Sequence, residues 1–183
     1  MKNFSLFLIV CSCSFTTVIK GQTLELPQKH RIGVGPILGY DHKLEGTTYG
    51  AGLMCEYKAF RKVGFTAGFN YEQTRKDLVG QDFADNGAGL LKHHMYALNL
   101  GARYYMNSFY LGGALGLAHE SGESKMDDGT TFKGGSANSL YKSLGLGYQL
   151  PFRNGDLLEM EIGTFGTKNS MKFGGMVRYK FLK

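Results

Sequence analysis

The last stretch of the chain, Ser170 to Phe181, reads S-M-K-F-G-G-M-V-R-Y-K-F. Taken every second residue, it separates into two sets. Met171, Phe173, Gly175, Val177, Tyr179 and Phe181 form an apolar, aromatic set. Lys172, Gly174, Met176, Arg178 and Lys180 form a largely cationic one. A β-strand sends successive side chains to opposite faces, so this segment predicts a two-faced strand.

The same period recurs in seven earlier segments, about 31–40, 47–59, 63–71, 92–106, 109–119, 138–150 and 156–165. Pro36 cannot donate to a ladder and predicts a bulge or bend in the first of them. Asn107-Ser108 and Asn154-Gly155 mark hairpin turns, and Phe60-Arg61-Lys62 marks a third short connection. Two long polar stretches, 74–91 and 120–137, read as loops. No helical period supplies a cover for the apolar faces. The pattern therefore predicts an all-β fold: an eight-stranded antiparallel up-and-down transmembrane β-barrel, apolar outside and polar within. A soluble exported barrel of lipocalin type is the alternative, with the rings turned inward.

Short links after strands 2, 4 and 6 and longer ones elsewhere fit an outer-membrane barrel, with the N- and C-termini at the short-turn, periplasmic end. The polar faces carry opposite charges, and Glu56, Lys58, Glu72, Arg103, Glu159, Glu161, Lys172, Arg178 and Lys180 are expected to form a lumen network. Glu159 and Glu161 are expected across from Met176 and Arg178 or near neighbours. Eight strands enclose a space that side chains fill, so a filled interior without an open pore is expected.

Composition refines this picture. Lys2 followed by an apolar run to Val18 reads as a secretory signal, residues 1–21, cut about Gly21. Residues 22–30 form a periplasmic lead-in and 31–183 the barrel domain. A lipoprotein signal at Cys11 or Cys13 fits less well, because the apolar core before Cys11 is short. Removal of the signal takes Lys2 and Lys20 with it and lowers the formal charge from +6 to about +4. It leaves Cys55 as the one cysteine, so no internal disulfide is expected. The 27 glycines and 24 Tyr plus Phe suit a barrel in which only alternate residues need be apolar. Positive charge is scattered, which argues against nucleic acid.

With these features the chain resembles the small eight-stranded outer-membrane barrels of Gram-negative bacteria, the OmpA/OmpX-like group. The resemblance spans about Arg31 to Lys183 and rests on the eight alternating segments, the loop alternation and the aromatic last strand. It implies a bacterial outer-membrane location amid lipid and lipopolysaccharide. It also implies assembly by the barrel-assembly machinery, which would read Tyr179 and Phe181. A monomer with a structural or surface-binding role is expected, with an extracellular ligand reached through 74–91 and 120–137.

Chemistry-bearing candidates are few. His119 and Ser121 share an outward face, as does the His-x-Ser pair of lipid A deacylases. A serine nucleophile needs a base and the base an orienting acid. Glu120 has the wrong parity, Glu123 reads as loop, and strand 6 offers no outward Glu. A rim histidine and a loop serine is the expectation, and a lipid-modifying hydrolase the alternative. His93 and His94 are adjacent on a strand and face opposite sides, so they cannot share a metal. Asp127-Asp128-Gly129 lacks calcium-loop spacing. No cofactor or metal is expected.

Overall fold

Eight strands follow one another around a closed antiparallel ring, β1 His30–Asp41, β2 Gly46–Phe60, β3 Val63–Leu78, β4 Gly89–Met106, β5 Phe109–Met126, β6 Thr131–Pro151, β7 Leu157–Gly166 and β8 Met171–Leu182. Each pairs with its sequence neighbours, and β8 closes against β1. The computed structural model describes residues 30–78, 89–126 and 130–182. The signal, most of the lead-in and Asp127-Asp128-Gly129 lie outside the described residues.

The alternation sets the two surfaces. Val34, Leu53, Phe69, Leu100 at 69 % and Leu117 at 71 % are exposed, as are Leu146, Ile162, Phe173 and Val177. Glu159, Lys172 and Lys180 are buried, at 0–1 %. In water each exposed large side chain would forgo about 1.5–3 kcal/mol of burial. The barrel is thus greasy outside and charged inside, which excludes the lipocalin-type arrangement.

Pro36 acts on one side of its strand. The β1–β2 register is continuous, whereas β1–β8 pairing stops at Val34↔Tyr179 and resumes at Ile37↔Met176. Gly35 sits in that gap, where a Cβ would meet the Val177 carbonyl oxygen at 1.7 Å, so only glycine fits. The short turns are those expected. Asn107 has φ 59° and Gly155 φ 90°, left-handed values that the two turns require.

The long connections differ from expectation. The stretch 74–91 is strand through Leu78 and again from Gly89, and 120–137 is strand through Met126 and again from Thr131. Pairing continues past the barrel proper, to Leu78↔Gly89 and Lys125↔Thr131. The β6–β7 pairing ends at Lys142↔Gly166. The upper parts of β3, β4, β5 and β6 therefore stand above the ring as an open wall. These strands rise out of the membrane, so no apolar alternation marks them; the backbone ladder holds them, joined by side-chain pairs such as Lys92–Glu123.

Candidate functional site

The lower lumen is built by inward parity on β2, β4, β5, β6, β7 and β8. The Glu159 carboxylate accepts hydrogen bonds from Arg103 Nη1 at 2.9 Å, Arg178 Nη1 at 2.8 Å and Gln149 Nε2 at 3.0 Å, and from the Lys180 amine. Glu161 accepts from Arg103 Nη2 at 2.7 Å, Arg178 Nη1 at 2.9 Å and the Tyr110 hydroxyl at 2.6 Å. Glu56 takes Lys180 Nζ at 2.6 Å and the Tyr105 hydroxyl. Three carboxylates thus meet three cations in one sheltered cluster. Glu159 lies across from Arg178, and Glu161 across from Met176. The Lys58 amine lies 4.0 Å above the ring of Tyr105, whose hydroxyl serves Glu56.

Sequence reasoning missed Tyr105, Tyr110 and Gln149, although all three have inward parity. Tyrosines occur on both faces of this barrel, so their polarity does not mark a side. Gly147 provides the space for Tyr110, since a Cβ there would sit 2.0 Å from the ring.

Above this cluster the lumen turns apolar. Ile37, Met95, Ala97, Ala118, Tyr141, Phe165 and Met176 form a buried layer, with the Tyr141 hydroxyl accepting from Asn70 Nδ2 at 2.9 Å. A cavity of about 40 Å³, lined in part by Thr66, Asn70, Asn99 and Arg178, has room for no more than a few waters.

A second polar tier closes the long-hairpin end. Lys172 Nζ donates to Glu72 at 2.8 Å. The Asp41 carboxylate accepts from the Ser170 hydroxyl and from Lys43 N at 2.9 Å. Glu120 accepts from the Thr167 hydroxyl, Ser139 Oγ at 3.1 Å and Asn169 Nδ2 at 3.1 Å. These bonds hold the β7–β8 turn over the ring. Glu72 and Lys172 therefore belong to a tier separate from the other charges expected to join them. Among the described residues no group of three or more His, Cys, Asp and Glu side chains is placed to hold a metal.

The outer face of the wall carries the remaining candidates. Ser121 and His119 are on β5, opposite His94 and Tyr96 of β4 and Ser136 and Asn138 of β6. His119 Nδ1 is 2.8 Å from Asn138 Oδ1, an amide where a triad would have a carboxylate. Among the described residues Ser121 makes no hydrogen bond to an imidazole. Glu123 is on a strand, contrary to its reading as loop. It lies 3.9 Å from His94 Nε2 and 3.7 Å from Lys92 Nζ. His94 Nδ1 meets the Tyr71 hydroxyl at 3.1 Å, while His93 turns inward. In the β1–β2 turn, a 2.9 Å hydrogen bond from Lys76 holds the Glu45 carboxyl below its ordinary range. At the opposite end Tyr179 and Phe181 face outward, and Tyr179 donates to Asp156.

The sequence matches no protein-family model and no curated protein. Among solved structures it is similar to Ail, the attachment invasion locus protein of Yersinia pestis, with a TM-score of 0.58 and 19 % identity over 85 % of this chain and all of that one. The same protein in complex with the heparin analogue sucrose octasulfate gives 0.57 and 20 %, again over 85 % of this chain and 100 % of that one. The chain has the fold of the small eight-stranded outer-membrane barrels.

Proposed function

We propose that this protein is an outer-membrane barrel that passes no solute and displays the β3–β6 wall outside the cell as a binding surface. The observation that carries this is the state of β6 above the ring. Residues 131–138 are all exposed, and β7 pairs with β6 only from Lys142. The backbone edge of β6 beyond that point faces solvent, and such an edge accepts an added strand. The ligand class this supports is an extended peptide segment of another protein. His30 and Leu182, at the short-turn end, then lie on the periplasmic side.

The test is topological. An epitope inserted between Asp127 and Gly129 should bind antibody on intact cells, and one appended after Lys183 should bind only after lysis. A buried 127–129 tag in intact, tag-expressing cells would end this reading.

One observation favours a lipid hydrolase as second reading: the 2.8 Å contact that orients His119 beside Ser121 on the lipid-side face. Acyl release from lipopolysaccharide by the purified protein, abolished in Ser121→Ala, would establish it; no turnover leaves the binding role.

A further inference from the structure

The β7–β8 turn lies over the upper end of the ring as a cap. Its Thr167 hydroxyl and Asn169 amide donate to Glu120, its Ser170 hydroxyl donates to Asp41, and the Lys43 amine reaches the Lys168 carbonyl. Asn169 also donates to Ser139 Oγ at 3.3 Å. Ser139 lies just past Lys142, the last β6 residue that β7 covers. The cap therefore closes over the start of the free β6 edge. Both carboxylates that pin it, Glu120 and Asp41, are held by neutral donors.

His93 enters the same tier from β4. Its Nδ1 is buried and has no hydrogen-bond partner among the described residues. Its cross-strand partners, Thr74 and Gly122, offer no charge, and the Thr74 hydroxyl is already shared with Thr48. The charges that act on the ring come from around the tier: Lys172 on β8, Glu120 on β5 and Asp41 on β1, with His94 next to it on the other face of β4. On β3, Glu72 is bound to Lys172 and Lys76 to Glu45. The imidazole thus sits among one cation and the two carboxylates that hold the cap.

We propose that His93 is a proton-operated release for this cap, so that acid lifts the β7–β8 turn and uncovers more of the β6 edge. A neutral ring is tolerated where it is buried, whereas an imidazolium needs counter-charge and water. Glu120 and Asp41 supply the counter-charge, and turning towards His93 draws them off Thr167, Asn169 and Ser170. Lifting the turn admits the water. Burial, and then the Lys172 ammonium, holds the His93 imidazole below its ordinary value. A base depressed in the closed form favours that form only while it is neutral, so closure weakens as the pH falls through about 6.5. This regulation rests on the reading of the β6 edge as the binding surface.

The experiment uses the exported chain in neutral detergent, with no ligand. Spin labels at Lys168→Cys on the cap and Arg153→Cys at the opposite end, in a Cys55→Ser background, report the cap's position by electron–electron dipolar spectroscopy. The labelled parent should give one narrow distance at about pH 7.5 and a broad, longer population that grows about fivefold by about pH 5. His93→Gln should stay narrow at both values, as should His93→Asn if the first variant does not fold. His93→Lys, a fixed cation, should be broad at both. His94→Gln, on the outer face, should respond as the parent does. A parent distance that ignores pH, or a folded His93→Gln protein that still follows it, overturns the proposal. Because no ligand takes part, these results stand apart from the edge reading, which a buried 127–129 epitope would end.

Discussion

Glu159 is where the lower lumen converges. Its two oxygens are shared among Arg103, Arg178, Lys180 and Gln149, and none of these can turn to water, since all five side chains are buried. Replacing the carboxylate with an amide keeps the shape and removes the charge, leaving one surplus cation in a closed space. Breaking a buried pair in this way costs about 3–5 kcal/mol. Glu159→Gln is therefore expected to lower the unfolding free energy by that amount, measured by denaturant titration of the refolded barrel. Glu123→Gln on the outer wall should change it by less than about 0.5 kcal/mol. Combining Glu159→Gln with Lys180→Met removes a charge of each sign, and a double-mutant cycle should return part of the loss. A Glu159→Gln barrel as stable as the parent would show that the lumen charges do not hold the fold.

At the level of the strand, legibility followed the solvent. Wherever one face of a strand meets lipid and the other the lumen, polarity alternates, and the eight segments could be read with their faces correctly assigned. Where a strand has water on both sides, the same ladder carries Gly, Ser, Lys and Glu without order, as in Glu120–Met126 and Thr131–Ala137. Those segments read as loops because, Glu120 apart, none of their described residues is buried. The lumen charges were legible for the same reason that the lipid face was, by parity. What parity could not supply was height along the axis, so the separation of Glu72 and Lys172 from the lower cluster emerges only from register. The wall should also be dispensable to the ring. Ser121 and Ser136 already face each other, so replacing residues 122–135 with Asn-Gly closes a tight hairpin at a preformed pair. We expect such a protein to fold to a heat-resistant barrel within about 1 kcal/mol of the parent. A loss of more than about 3 kcal/mol would mean that the wall supports the ring and is not merely carried by it.

For the whole molecule, the question is whether anything crosses it. The lumen is stacked in three tiers: a neutral charged cluster, an apolar layer around Tyr141, Met95 and Met176, and the upper network that ties Thr167 and Ser170 to Glu120 and Asp41. Polar tiers could hydrate and exchange partners, but an ion reaching the middle layer would lose water and gain no counter-charge. Closure is therefore expected to reside in the apolar tier rather than in the salt bridges. Planar-bilayer recording of the parent in molar salt should show no regular current steps. Cutting the middle layer with Met95→Ala, Tyr141→Ala and Met176→Ala joins the two polar tiers and should produce them. Steps from the unmodified protein would end the closed-lumen reading; an equally silent triple variant would place the barrier elsewhere, with the ion pairs around Glu159 as the seal.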